Sequence, residues 1–152
     1  MPLDSTDLRI LRALQEDPDG SVEAIGLAVG LSHTPCWRRI RQMQRDGVLR
    51  GKATVIDEKL VGLSVTVITM VKLSRHDERS LDEFEAQAGS LPEVVECYLV
   101  TGAFDFALTV VTRDMAGFET FLKRRLSNLP HVADMNSTVV LRKSKTGGRL
   151  PI

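Results

Sequence analysis

The sequence predicts an α+β chain in two parts, a helical N-terminal part followed by a part that contains a sheet. Three observations support this. Apolar residues recur at helical spacing up to Gly47, and the composition then changes at Asp57-Glu58-Lys59-Leu60-Val61-Gly62. Beyond that stretch the hydrophobic period switches between 2 and 3.6 twice, in the order β-α-β-β-α-β. Basic residues, finally, are gathered in one short helix rather than spread along the chain.

In the first part, Asp4 is placed to cap a helix whose apolar positions are Leu8, Ile10, Leu11 and Leu14. Asp17-Pro18-Asp19-Gly20 breaks it. A shorter helix runs from Ser21 or Val22 to Ala28, with Val22, Ile25 and Val29 facing inward. Gly30-Leu31-Ser32 then turns the chain into a third helix. There Ser32 or Thr34 can accept the orphan N–H groups, Pro35 fits the first turn and Gly47 supplies the stop. Cys36, Ile40 and Met43 form its single apolar stripe. Two helices joined by a short glycine-containing turn, the second one basic, are the helix-turn-helix signature. Val48 to Ile56 reads as a two-stranded wing carrying Arg50 and Lys52. Residues 1–56 are therefore expected to form a winged helix-turn-helix domain, 57–63 a linker and 64–152 a second domain.

In that second domain Leu63 to Leu73 is a strand rich in Val, Ile and Thr. Ser80 to Ala88 is a helix with Leu81, Phe84 and Ala88 on one face, closed by Gly89. Val94 to Thr101 and Phe106 to Thr112 are strands joined by the tight Gly102-Ala103-Phe104-Asp105 link. Asp114 caps a helix with Met115, Phe118, Phe121 or Leu122, and Leu126 inward, and Pro130 ends it. Ser137 to Leu141 is the last strand. This order is the ferredoxin-like βαββαβ plan, an antiparallel sheet with both helices on one face.

The overall charge balance, 20 basic against 20 acidic residues, hides a segregation. Residues 1–31 hold only Arg9 and Arg12 against Asp4, Asp7, Glu16, Asp17, Asp19 and Glu23. Residues 32–54 hold Arg38, Arg39, Arg41, Arg45, Arg50 and Lys52 against Asp46 alone. A narrow apolar seam with guanidinium groups elsewhere suits a groove lined with phosphate, although charge runs also occur as plain solvated faces. For double-stranded DNA, the expected base contacts are His33, Thr34, Trp37, Arg38 and Arg41, near the helix start. Ser32, Arg39, Arg45, Arg50 and Lys52 are better placed for phosphates. Trp37 suits two roles, packing on the core or touching a thymine methyl.

At 152 residues either half is near the lower limit for burying an adequate core alone. No apolar run reaches the roughly 20 residues needed to span a bilayer. No charged-then-apolar leader opens the chain, so the expectation is a cytoplasmic protein with no membrane partner. Cys36 and Cys97 are expected as free thiols. His33, His76 and His131 lack metal-ligand spacing, so neither metal nor cofactor is expected. His76-Asp77, tempting as an acid–base pair, reads as a helix cap with a solvated neighbour.

Both faces of the predicted sheet look apolar. The first strand sets Val65, Val67, Val71 and Leu73 against Ile68 and Met70, and the third sets Phe106, Leu108 and Val110 against Ala107 and Val111. With helices on one face, something must cover the other, and a second copy in a two-fold dimer is the nearest candidate. The competing cover is the first helix or the wing folding back.

The phrase Val29-Gly30-Leu31-Ser32 leading into Arg39-Ile40 and Gly47-Val48-Leu49 resembles the Lrp/AsnC (feast/famine) family of transcriptional regulators. Leu3-Asp4 with Asp7, Ile10-Leu11, Leu14-Gln15, Gly102-x-x-Asp105 and the Leu150-Pro151-Ile152 ending extend the likeness over essentially the whole chain. The resemblance implies dimers that assemble further, often to octamers, and a response to an amino acid or related small molecule. By position it implies an effector pocket between dimers at Leu99, Thr101, Gly102 and Asp105, with Met115, Thr138 and Val139 nearby. Turn N–H groups can hold a carboxylate and Asp105 can accept from an ammonium, but Asp105 equally suits a turn carboxylate bonding its own backbone. Ala103 departs from the family, where a polar or acidic residue is common. Gly26 departs too, standing where alanine is usual; glycine inside a helix costs roughly 1 kcal/mol relative to alanine, which predicts a soft second helix. Two other functions fit parts of the pattern. A DNA-compacting architectural protein would share the contacts with little sequence preference. An enzyme resembling siroheme decarboxylases would share the fold but not need the basic helix, and no nucleophile–base pair or carboxylate dyad marks catalytic residues.

Overall fold

The computed structural model describes residues 2–152, which divide into two compact units. One comprises the chain up to Val55 together with Lys145–Ile152; the other is Ile56–Ser144. The last eight residues therefore do not join the sheet domain to which the sequence pattern assigns them. They run along the first helix instead: Gln15 Oε1 accepts from the Leu150 N–H at 2.5 Å, its amide donates back to the Leu150 carbonyl at 3.3 Å, and Arg12 donates to the Ile152 carbonyl.

The first unit contains α1 (Ser5–Glu16), α2 (Val22–Val29) and α3 (His33–Arg45). Asp4 and Asp7 form a reciprocal cap on α1, each carboxylate accepting the other's N–H, at 2.8 and 3.0 Å. Ser21 caps α2 through the Ala24 N–H. Ile10, Leu11, Ile25, Val29, Cys36 and Met43 make the core, with Leu8, Leu14, Val22 and Ile40 packed at its margin. Gly30 and Gly47 end α2 and α3 at φ of 73° and 74°, a left-handed conformation that a Cβ would penalise. The turn after α2 is closed by the Leu31 N–H donating to the Gly26 carbonyl at 2.8 Å. A Cβ on Gly26 would lie 2.8 Å from the Leu31 carbonyl oxygen, so glycine lets α2 and its turn approach closely rather than leaving a soft spot.

The expected wing is not a pair of strands. Residues 51–57 form no regular structure, Val55 is fully exposed and Ile56 largely so. A lone two-strand ribbon has no third strand or helix to pack on and is marginal in water. The segment expected as a linker is ordered: Asp57 accepts from the Lys59 and Leu60 N–H groups, and the turn closes with Leu63 N–H on the Glu58 carbonyl at 2.8 Å.

The second unit is an antiparallel sheet of β1 (Val65–Leu73), β2 (Val94–Leu99), β3 (Phe106–Thr112) and β4 (Val132–Val139), in the order β2-β3-β1-β4. With α4 (Glu78–Gly89) and α5 (Met115–Arg124) this is the ferredoxin-like plan. Val67, Val71, Leu73, Phe84, Ala88, Phe106, Leu108, Val110, Phe118, Phe121 and Leu126 are the core, and the rings of Phe84 and Phe106 tilt together at 4.6 Å. α4 starts two residues earlier than expected because Asp77 caps it through the N–H and hydroxyl of Ser80. α5 stops at Arg124, and Leu126 reaches the core from a short 3-10 turn. β4 covers Val132–Val139 rather than Ser137–Leu141; as an edge strand with mostly exposed side chains it shows no alternation to read. Met115, expected inward, is half exposed.

The face of the sheet away from this core is less apolar than the pattern suggests. Register places Asn136, Met70, Ala107 and Tyr98 in one row across all four strands, and Thr138, Ile68, Thr109 and Glu96 in the next. Its apolar centre is half-buried, its rim polar. Opposite β3, a bulge between Val94 and Glu96 keeps Val94 and Cys97 both on the core side and leaves Val95 exposed.

Candidate nucleic-acid interface

The exposed side of α3 begins at Ser32, which takes the extended cap conformation but makes no side-chain capping bond. The expected caps, Ser32 or Thr34, are thus not supplied, and the first-turn N–H groups remain open to another acceptor, as at helix ends that meet phosphate. His33, Thr34, Trp37, Arg38, Arg41 and Arg45 are all exposed along the helix. His33 Nε2 lies 3.4 Å from Glu23 of α2. Arg45 donates to Gln42 Oε1 at 2.6 Å. Arg38 has no hydrogen-bonding or ionic partner among the described residues.

Arg39 stands apart. Its Nη1 donates to Asp7 Oδ1 at 2.7 Å and to Asp4 Oδ2 at 2.8 Å, so the guanidinium braces α3 against α1. Asp7 and then Asp4 hold the Arg39 proton more firmly, while the Asp7 N–H, followed by Arg39, keeps the Asp4 carboxyl below its ordinary range. The sequence carried a signal for this: Arg39 sits three residues after Cys36 and four before Met43, on the buried stripe itself. Beneath it Cys36 is fully buried, which raises its thiol pKa and leaves it unreactive. Of the two wing cations, Arg50 is exposed and Lys52 lies 3.4 Å from Asp19.

Trp37 is not packed into the core, the first of the two roles the sequence allows. It is about half exposed, and the Arg41 guanidinium carbon lies over its ring, 5.6 Å from the centroid. Trp37, Arg41, Gln44 and Arg45 line a shallow hollow on the helix surface.

The AsnC-type helix-turn-helix domain matches residues 3–44, and the Lrp/AsnC ligand binding domain matches residues 66–150. The chain belongs to the Lrp/AsnC family. Like its relatives it is a DNA-binding transcriptional regulator. It is 36% identical over 146 residues to the proline dehydrogenase transcriptional activator of Rhizobium radiobacter, covering 96% of this chain and 94% of that one. The crystal structure of an AsnC family transcriptional regulator from Agrobacterium tumefaciens is 37% identical, covers 98% and 97% of the two chains and superposes with a TM-score of 0.89. A Neisseria meningitidis transcriptional regulator in complex with L-Met reaches the same TM-score at 31% identity, covering 99% and 97%.

Within the Lrp/AsnC ligand-binding unit the seven effector candidates fall into two groups. Leu99, Thr101, Gly102 and Asp105 surround the β2–β3 turn; Met115, Thr138 and Val139 lie at the opposite end of the sheet, where β3 and β4 finish. Strand pairing sets Leu99 beside Phe106 and Val71, whereas Val139 pairs with Val67 on the far edge. A single chain does not bring the groups together. Asp105 is mostly buried and already engaged. Oδ2 accepts the Leu73 N–H at 2.7 Å and Oδ1 lies 3.2 Å from His76 Nε2. Its own N–H donates to the Val71 carbonyl at 2.9 Å, so the residue extends the β1–β3 ladder around the turn. His76, exposed as its sequence context predicts, is the second partner of this carboxylate.

Proposed function

We propose that this regulator reads a two-fold operator as a dimer or larger assembly, through α3, and that an amino acid or related small molecule held by the second unit modulates it. The observation behind this reading is the sorting of the α3 cations. Arg39 is spent inside the domain, while Arg38, Arg41 and Arg45 stay on one exposed side beside open helix-start amides. Arg38 and Arg41 suit guanine edges, with His33 and Thr34 beside them; Ser32, Arg45, Arg50 and Lys52 suit the backbone. The Neisseria regulator's complex with L-Met supports an amino acid as the effector class. The separation of the two candidate groups supports a pocket completed by a second copy, with Gly102 N–H and neighbouring turn amides on a carboxylate.

Footprinting on selected and random duplexes tests the reading. Arg41→Ala is expected to relax base preference, and Arg50→Ala to weaken all duplexes alike. Protection without sequence preference would replace regulation by compaction. A thermal-shift screen against the twenty amino acids tests the effector arm, because a ligand that prefers the native state raises its melting point. No shift with any of them would remove that arm.

A further inference from the structure

We infer that Trp37 is a positioning residue that holds Arg41 ready for a guanine edge, and so sets base preference without touching a base. The inference deepens the proposed reading and depends on α3 entering the major groove. Trp37 and Arg41 are one turn apart on α3, the spacing at which helical side chains meet. The guanidinium carbon lies 5.6 Å from the indole centroid, within the range of a cation–π contact. Arg41 Nη1 also approaches Gln44 Oε1 at 3.5 Å. Stacking uses the face of the guanidinium, whereas its N–H donors lie in the plane. The same group can therefore rest on indole and still offer a bidentate edge to guanine O6 and N7. An arginine held this way has already lost side-chain freedom that a free one loses only on binding.

The other arginines of α3 are placed otherwise. Arg39 is bound to Asp7 and Asp4, Arg45 donates to Gln42, and Arg38 has no partner among the described residues. Among the described residues, Arg41 is the one arginine of α3 whose guanidinium lies over an aromatic ring. The contact also accounts for a large apolar side chain standing about half exposed on a basic helix.

Trp37 is the single tryptophan of the chain, so the stack has its own optical readout. In the free protein, Arg41→Ala is expected to shift Trp37 emission and increase its quenching by acrylamide. On duplexes that differ only at the selected guanine, Trp37→Leu is expected to lower the preference about two- to fivefold, the size of an exposed cation–π contact. Random-duplex affinity and the salt slope should stay unchanged, and Trp37→Phe should restore most of the preference. In an Arg41→Ala background, Trp37→Leu should have no further effect. A duplex-binding protein in which Trp37→Leu keeps full preference overturns this inference alone. So does an equal loss from Trp37→Leu with and without Arg41, since the indole would then touch the base itself. A chain with no duplex affinity overturns both this and the operator reading, while the fluorescence of the free protein still reports whether the stack exists.

Discussion

Arg39 Nη1 donates to Asp7 Oδ1 at 2.7 Å, and this contact commits one of the four arginines of α3 to α1. Asp7 is only 2% exposed, so removing the guanidinium leaves a buried carboxylate with the Asp4 N–H as its remaining donor. Arg39→Ala is expected to destabilise the helical unit by about 2 kcal/mol, as for other hydrogen bonds to charged groups, with base preference unchanged. Urea unfolding and a selected-against-random binding ratio check this. Native stability with duplex affinity reduced as far as in Arg45→Ala would return Arg39 to the phosphate contacts.

Asp4 gives the same brace a pH dependence. Its N–H bond from Asp7, and then Arg39, hold its carboxyl below the ordinary value, so the unfolded chain takes up the proton more readily than the native one. The stability it contributes is complete above the usual aspartate value of about 3.9 and is lost as pH falls through the lower native value. In acid titrations followed by helical circular dichroism, Asp4→Asn is expected to lower stability at pH 7 and to flatten the acid limb. Parallel curves for the two proteins would refute the linkage.

What could be read from the sequence divides along physical lines. The three helices of the first unit were legible because their apolar stripes, the Asp4 cap of α1 and the glycine stops at Gly30 and Gly47 are local signals. The wing was misread because Val48 to Ile56 has strand-forming residues but nothing to pair with. β4 was mostly missed because Asp134, Asn136 and Ser137 lie on an edge, where burial imposes no pattern. The tail on α1 had no local signal, although Gln15 and Leu150, both among the residues carrying the family resemblance, prove to be hydrogen-bonded to each other. At the candidate sites, residue type suggested which residues to consider, but it gave no sign of the partners that Arg39, Trp37 and Asp105 have in the fold.

Asp105 shows why its effector role needs a conservative variant. Asp105→Ala leaves the buried Leu73 N–H unpaired, at a cost of about 1–3 kcal/mol. Asp105→Asn keeps an acceptor oxygen and is expected to retain most of the stability while losing the charge that an ammonium would seek. Thermal melts of both variants, with and without the effector found in the amino-acid screen, separate the two roles. Native melting of Asp105→Ala would show that the turn does not depend on this carboxylate.

Gly26→Ala sets helix propensity against close packing. Alanine gains roughly 1 kcal/mol in a helix interior, but its Cβ would lie 2.8 Å from the Leu31 carbonyl oxygen, which belongs to the backbone of the turn. The clash is expected to win, lowering the melting temperature and loosening the entry to α3. A higher melting temperature would show that the turn yields easily.

The row of Asn136, Met70, Ala107 and Tyr98 offers the sharpest test of self-association. Met70 and Tyr98 face away from the core, so charging them removes little internal packing. In a dimer joined through this face, however, two copies of each new charge would be brought together and stripped of water, which costs far more than the pair gains. Met70→Lys combined with Tyr98→Lys is therefore expected to give a folded protein with near-native circular dichroism but the sedimentation mass of one chain. Its affinity for a two-fold site should fall steeply while binding to a half-site persists. An unchanged oligomer would move the interface elsewhere, and a native protein that already sediments as a single chain would remove the need for any partner on this face.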